Sequence, residues 1–244
     1  MDRVCLVTGA AGGIGRAVVS AFAAEGARLV LVGRTGAKVE ALAAELRQGG
    51  VAAVALGADV AEPAGARGAV ALALDRFGRL DVLINNAGKV PSRTPIAETD
   101  VALFDEAYRA NLRSVYLCTQ AAIPALRAAK GAIVNVASTA AKTGALTVGP
   151  GYAAAKAGVI ALTKSTAREL APDARANVVA PGPVDTPMLD DVRGPKFDAY
   201  LSTIPLGRMA TADDVAFAVL YLASERSAYL TGAVIDVNGG MLMD

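Results

Sequence analysis

The 244-residue sequence predicts an α/β fold with a single doubly wound parallel sheet, and three observations carry that prediction. Short apolar runs rich in Val, Leu and Ile alternate with longer segments of helical period almost from end to end. The short runs lack polar alternation, which marks strands covered on both faces. A glycine-rich turn joins the first run directly to the first helical segment, where folds of this class receive ligands.

In chain order, strands are expected at residues 4–7, 28–32, 51–56, 82–84, 132–136, 176–179 and 233–237, all buried on both faces. Helices are expected between them at 13–25, 36–47, 64–77, 101–129, 152–170 and 211–224. Repeated strand–helix–strand units with right-handed crossovers place helices on both faces of one sheet. Gly26 suits a left-handed helix end, and Thr211 with Asp214 forms a capping box with Asp in the usual Glu position. Pro91, Pro95, Pro181, Pro183, Pro187 and Pro195 are expected outside the elements, whereas Pro124 falls inside the long fourth helix and is expected to kink it. No repeat or low-complexity linker divides the pattern, so residues 1–244 read as one domain.

Composition narrows the chemistry. The chain contains no His and two Cys, which excludes Ser-His-Asp and Cys-His catalysis and any His-containing or multi-thiolate metal site. No metal is expected. Proton transfer is left to Tyr, Lys, carboxylates or a cofactor. A net charge of +1 without a basic run gives no footprint for nucleic acid. No apolar stretch reaches membrane-spanning length, and the first residues are too short an apolar run for a secretory leader. A cytoplasmic protein with reduced thiols is therefore expected.

The strand ends carry the candidate site. Gly9, Gly13, Ile14 and Gly15 sit in the turn from first strand to first helix, where glycines let backbone N–H groups approach a pyrophosphate at a helix N-terminus. After the second strand come Arg34 and Thr35 with no acid before Glu40, which favours NADP(H) over NAD(H), because an acid there would accept from a free ribose hydroxyl. After the third strand, Asp59 and Val60 either receive adenine, by a hydrogen bond and by cover, or Asp59 caps the next helix. Asn86, Ala87 and Gly88 follow Asn85, and this pair of amides is suited to cross-link strand ends beside a flat ring.

The strongest constellation is Tyr152 with Lys156, one helical turn apart, and Ser138 at the end of the fifth strand. An ammonium beside a phenol stabilises tyrosinate and lowers the phenol pKa toward a useful range. Ser138 is placed to hold a substrate oxygen while a nicotinamide supplies or accepts hydride.

From Thr8-Gly9 to Asn238-Gly239-Gly240-Met241, the whole chain resembles the short-chain dehydrogenase/reductase family. Within it, the chain is most similar to the 3-oxoacyl-(acyl-carrier-protein) reductase group, which shares the C-terminal pattern. The resemblance implies a Rossmann-type sheet of about seven strands in the order 3-2-1-4-5-6-7 and a homotetramer. It also implies a catalytic tetrad of Asn111, Ser138, Tyr152 and Lys156, in which Asn111 holds a water of a proton relay and Lys156 also bonds the nicotinamide ribose. By the same likeness Pro181, Gly182, Val184 and Thr186 form a nicotinamide-side loop, followed by a mobile substrate lid at 187–205.

Two departures from the family pattern stand out. The Ser138–Tyr152 separation is one residue longer than usual; Thr139 would restore it, but Ser138 fits the strand-end pattern and the loop 143–151 can absorb the extra residue. The turn before the sixth strand is one residue shorter. The expected activity is NADPH-dependent reduction of a ketone, 3-oxoacyl or other, to a secondary alcohol, with Tyr152 as the acid. Two alternatives stay open: an NAD-dependent alcohol, sugar or steroid dehydrogenase, and a non-catalytic nucleotide-binding regulatory protein. Lys89, Arg93 and Lys142 are either solvated loop cations or attract an acidic group or an acyl-carrier partner.

Overall fold

In the computed structural model, which describes residues 3–144, 148–192 and 194–243, the apolar runs form seven strands. These are β1 (Val4–Thr8), β2 (Arg28–Gly33), β3 (Ala53–Gly57), β4 (Val82–Asn85), β5 (Ala132–Val136), β6 (Arg175–Pro181) and β7 (Val234–Val237). All neighbours pair in parallel in the order 3-2-1-4-5-6-7, from Val4 opposite Arg28 at the centre to Pro181 opposite Val237 at one edge. The expected Rossmann-type topology is what the chain adopts. Because the order reverses between β1 and β4, a crevice opens outside the carboxyl ends of those strands.

The helices are α1 (Gly13–Ala24), α2 (Gly36–Gln48), α3 (Pro63–Phe77), α4 (Val101–Tyr108), α5 (Ser114–Ala129), α6 (Ala140–Thr143), α7 (Pro150–Leu170), α8 (Pro195–Leu201) and α9 (Ala212–Ala223). Successive side chains of a strand point to opposite faces, and the core divides accordingly. Cys5, Val7, Leu29 and Leu31 pack with Val18, Phe22 and Val215 on the face covered by α1, α2 and α9. Val4, Leu6, Val30 and Val32 pack with Ala69, Leu126 and Leu170 on the face covered by α3, α5 and α7. Each large side chain buried this way stabilises the fold by roughly 1.5–3 kcal/mol.

Several local expectations hold. Gly26 has φ +74°, and Thr211 and Asp214 exchange both bonds of a capping box. Others need correction. The helix expected at 101–129 is interrupted by a π turn at Arg109–Arg113, and the helix after it runs through Pro124. Inside the turn the buried Asn111 side chain donates to the Ala107 carbonyl at 2.9 Å. β3 and β7 are edge strands and largely half-buried rather than covered on both faces, and β3 begins at Ala53. Pro181 closes β6, Pro187 opens a 3-10 turn (Pro187–Val192) and Pro195 opens α8. All three lie within elements, because proline is tolerated where its missing N–H has no ladder or helix partner to lose.

Candidate functional site

At the carboxyl ends of the strands lies a cavity of about 590 Å³ that all the predicted site residues line. Its floor is the turn after β1. There Gly15 is required: a Cβ would fall 2.1 Å from the Gly9 carbonyl oxygen, so the backbone of the turn lies directly against α1. Asn86 locks this turn from the neighbouring strand, donating to the carbonyls of Thr8 at 3.1 Å and Gly9 at 3.2 Å. The Thr8 hydroxyl in turn accepts from the Asn86 and Ala87 N–H groups. Asn85 bonds Asn135 of β5 at 2.8 Å, so the paired amides do cross-link strand ends. The N-terminus of α1, carrying Gly13, Ile14 and Gly15, faces the cavity with Gly13 opposite Thr186. A backbone cradle at a helix N-terminus fits a pyrophosphate in both shape and dipole.

At one end of the cavity Arg34 and Thr35 are exposed at its rim, joined by Lys38 one turn into α2. Lys38 adds a second cation that sequence reasoning missed, although its position just after Arg34 was a signal. Asp59 and Val60 follow β3. The helix cap of α3 is Glu62, not Asp59. Asp59 instead accepts from the Ala61 N–H at 2.9 Å and from Arg109 at 2.7 Å. Desolvation raises its pKa, but the Ala61 N–H and Arg109 outweigh that and hold the carboxyl below its ordinary value.

At the other end Ser138, Tyr152, Lys156 and Asn111 come together. Ser138 and Tyr152 line the same part of the cavity, and the Ser138 Oγ accepts from the Ala140 N–H at 3.2 Å. Thr139 is committed elsewhere, its hydroxyl and N–H both donating to the Pro181 carbonyl. Part of the 143–151 loop expected to absorb the longer spacing, residues 145–147, lies outside the described residues. The Lys156 ammonium is buried, donates to the Val136 carbonyl at 2.7 Å and stands 5.7 Å from the centre of the Tyr152 ring. Burial pushes Lys156 down to about 8. Burial also raises the Tyr152 phenol, opposed by the Ser138 hydroxyl and the charge of Arg93. The expected lowering of the phenol by Lys156 is not seen, because the ammonium faces the ring and desolvation dominates.

Asn111 exchanges two hydrogen bonds with the backbone of Lys89, at 2.8 and 3.1 Å. Gly88 makes room for this: a Cβ there would sit 2.5 Å from Asn111 Oδ1 and 3.5 Å from Lys156 Nζ. The π turn thus brings Asn111 beside Lys156 across a gap that only glycine leaves open.

Pro181, Gly182 and the buried Val184 form the wall after β6, where a bridge between Val184 and Ala210 holds the loop. Beyond them, Met188 and the ring pair Phe197 and Tyr200, with centroids 6.2 Å apart, close the cavity. The two rings were missed by sequence reasoning, which assigned no helix there. Of the three loop cations, Lys89 pairs with Glu106 at 2.7 Å and Lys142 with Asp236 at 2.6 Å. Arg93 donates to the Met188 carbonyl at 2.9 Å and lines the cavity.

A family model described as enoyl-(acyl carrier protein) reductase matches residues 9–242. The chain is 39% identical to the 3-oxoacyl-(acyl-carrier-protein) reductase FabG of Staphylococcus aureus, covering 100% of this chain and 99% of the relative. It is 37% identical to the FabG of Thermotoga maritima, covering 99% and 98%. Among solved structures, a short-chain dehydrogenase/reductase titled glucose/ribitol dehydrogenase from Brucella melitensis superposes with a TM-score of 0.92 at 36% identity, over 99% of this chain and 97% of that one. Among the described residues, no helix is long and apolar enough to cross a membrane.

Proposed function

The chain belongs to the short-chain dehydrogenase/reductase family of NAD(P)-dependent oxidoreductases acting on CH–OH and C=O groups, and within it we propose an NADPH-dependent reductase of 3-oxoacyl ketones. The observation that carries this reading is the placing of Ser138 and Tyr152 on one cavity wall, with the buried Lys156 ammonium 5.7 Å from the Tyr152 ring. Two hydroxyl groups lining one part of the cavity suit a carbonyl oxygen. They suit it better than the C=C bond that the family model's description implies, since carbon accepts no such hydrogen bonds.

A bound nicotinamide dinucleotide supplies the hydride. The Gly9–Gly15 turn receives its pyrophosphate, Arg34 with Thr35 and Lys38 its 2′-phosphate, and Asp59 with Val60 its adenine. Ala87, Gly88, Pro181, Gly182, Val184 and Thr186 form the walls of its nicotinamide end. Ser138 orients the ketone oxygen, and Tyr152 gives it a proton as the carbonyl carbon is reduced. Lys156, below its ordinary pKa, passes a proton toward the phenol, and Asn111 holds a water on the far side for resupply. The segment 187–205 serves as the lid, with Phe197 and Tyr200 as its apolar inner face.

The substrate is acyl-carrier-bound, in keeping with the names of the FabG relatives. A cytoplasmic homotetramer of one-domain chains completes the reading. Supporting the tetramer, Val101, Phe104, Tyr108 and Tyr116 are exposed along α4 and α5, and Phe217 and Tyr221 along α9. Two separate apolar faces suit two interfaces. The test is cofactor oxidation with a 3-oxobutyryl thioester. NADPH consumption with formation of the 3-hydroxy product, at least tenfold more efficient than with NADH, supports the reading; no turnover with either cofactor across a panel of ketones overturns it.

A further inference from the structure

Arg109 stands at the start of the π turn, two positions before Asn111, and its guanidinium reaches toward the other end of the cavity. There it donates to Asp59 Oδ2 at 2.7 Å and Glu62 Oε1 at 2.9 Å, with Glu106 at 3.6 Å. Asp59 is thereby gripped from two sides, since its Oδ1 accepts from the Ala61 N–H. One oxygen is tied to its own backbone and the other to a helix on the far side of the crevice. A carboxylate has about four lone-pair positions, so this grip uses two and leaves acceptor capacity in a fixed direction.

We propose that Arg109 is a positioning residue for adenine recognition: by holding the Asp59 carboxylate in place, it sets the acceptor that tells an adenine amino group from an oxo group. The inference rests on the reading that Asp59 and Val60 receive the base. A fixed, ionised carboxylate rewards a donor and repels an acceptor. Without Arg109, Asp59 keeps only its bond to Ala61, and its free oxygen turns toward solvent.

The test measures dissociation constants on the whole protein by calorimetry for NADPH and for its hypoxanthine analogue, in which the amino group is an oxo group. Losing one charge-assisted hydrogen bond corresponds to about tenfold in affinity or somewhat more. Wild-type protein is expected to prefer NADPH by about that factor. Arg109→Met is expected to bring the preference close to one, mainly by weakening NADPH. Arg109→Lys should retain part of the preference, Asp59→Asn should abolish it, and adding Arg109→Met to Asp59→Asn should change the ratio no further. An unchanged ratio in Arg109→Met overturns the proposal, and so does equal weakening of both dinucleotides, which marks a purely structural role. A wild-type protein that binds both dinucleotides alike also overturns it while leaving the cofactor reading intact. Binding of neither overturns that reading as well.

Discussion

The end of this cavity proposed to receive adenine and the end proposed to carry the chemistry, here the adenine end and the catalytic end, handle charge in opposite ways. At the adenine end Lys89, Glu106, Arg109, Asp59 and Glu62 form a chain of ion pairs whose side chains are 28% to 48% exposed. At the catalytic end one ammonium, Lys156, is only 3% exposed and donates to a backbone carbonyl. Exposed pairs are screened by salt and contribute little to stability, even where they orient a carboxylate as Arg109 does Asp59. A sealed charge is held by geometry and answers to every change around it. The cavity therefore has one end that is soft toward salt, proposed to select the cofactor, and one that is sealed, proposed to transfer the proton.

The largest effect is expected from Tyr152→Phe, which removes the proposed acid and little volume. Its kcat should fall by about 10²–10⁴ with NADPH affinity kept within a few fold, as steady-state rates and a binding titration would show. If the phenol were a packing residue only, kcat would stay near that of wild type.

Next comes a pH effect on folding. The folded pKa of Lys156 is pushed down to about 8 from an unfolded value near 10.5. Between those values the unfolded chain binds more protons, so this group makes stability rise as pH goes from about 8 toward 10. Chemical denaturation of wild type and Lys156→Met over that range should show the wild type gaining on the variant, by roughly 3 kcal/mol at most. A difference that does not vary with pH would place the ammonium in a more solvated setting.

At the soft end the effects are smaller. Arg34→Ala should raise KM for NADPH by about tenfold and leave KM for NADH nearly unchanged, because one cation opposite a phosphate is removed. Smaller still, raising salt from about 0.05 to 0.5 M should increase KM for NADPH a few fold with little change in kcat. An equal response to salt in kcat would mean that the two ends are not separable in this way.

How much of this was legible in the sequence depends on range. The strands, the glycine turn and the Tyr152–Lys156 turn of helix follow from local patterns, and their positions at strand ends follow from the sheet. Strand order came from the family resemblance rather than from residue patterns. The break in the fourth helix was hidden, because it is accompanied by a bond between the Asn111 side chain and backbone that no periodicity encodes. Arg109 was hidden because its partner Asp59 is 50 positions away. Lys142 read as an available cation for the same reason, its partner Asp236 being 94 positions away. The direction of the Tyr152 shift was misread because spacing places a lysine near a phenol but says nothing about burial, and burial dominates.

The proposed reaction is hydride addition to a ketone carbon with a proton delivered from Tyr152. It is tested most directly by turnover of a 3-oxobutyryl thioester with NADPH deuterated at the transferable position, followed by mass and magnetic resonance analysis of the product. The expected product is a secondary alcohol carrying one deuterium on its carbinol carbon, formed by wild type and nearly lost in Tyr152→Phe. A product without deuterium at that carbon, or equal yields from the two proteins, would contradict it.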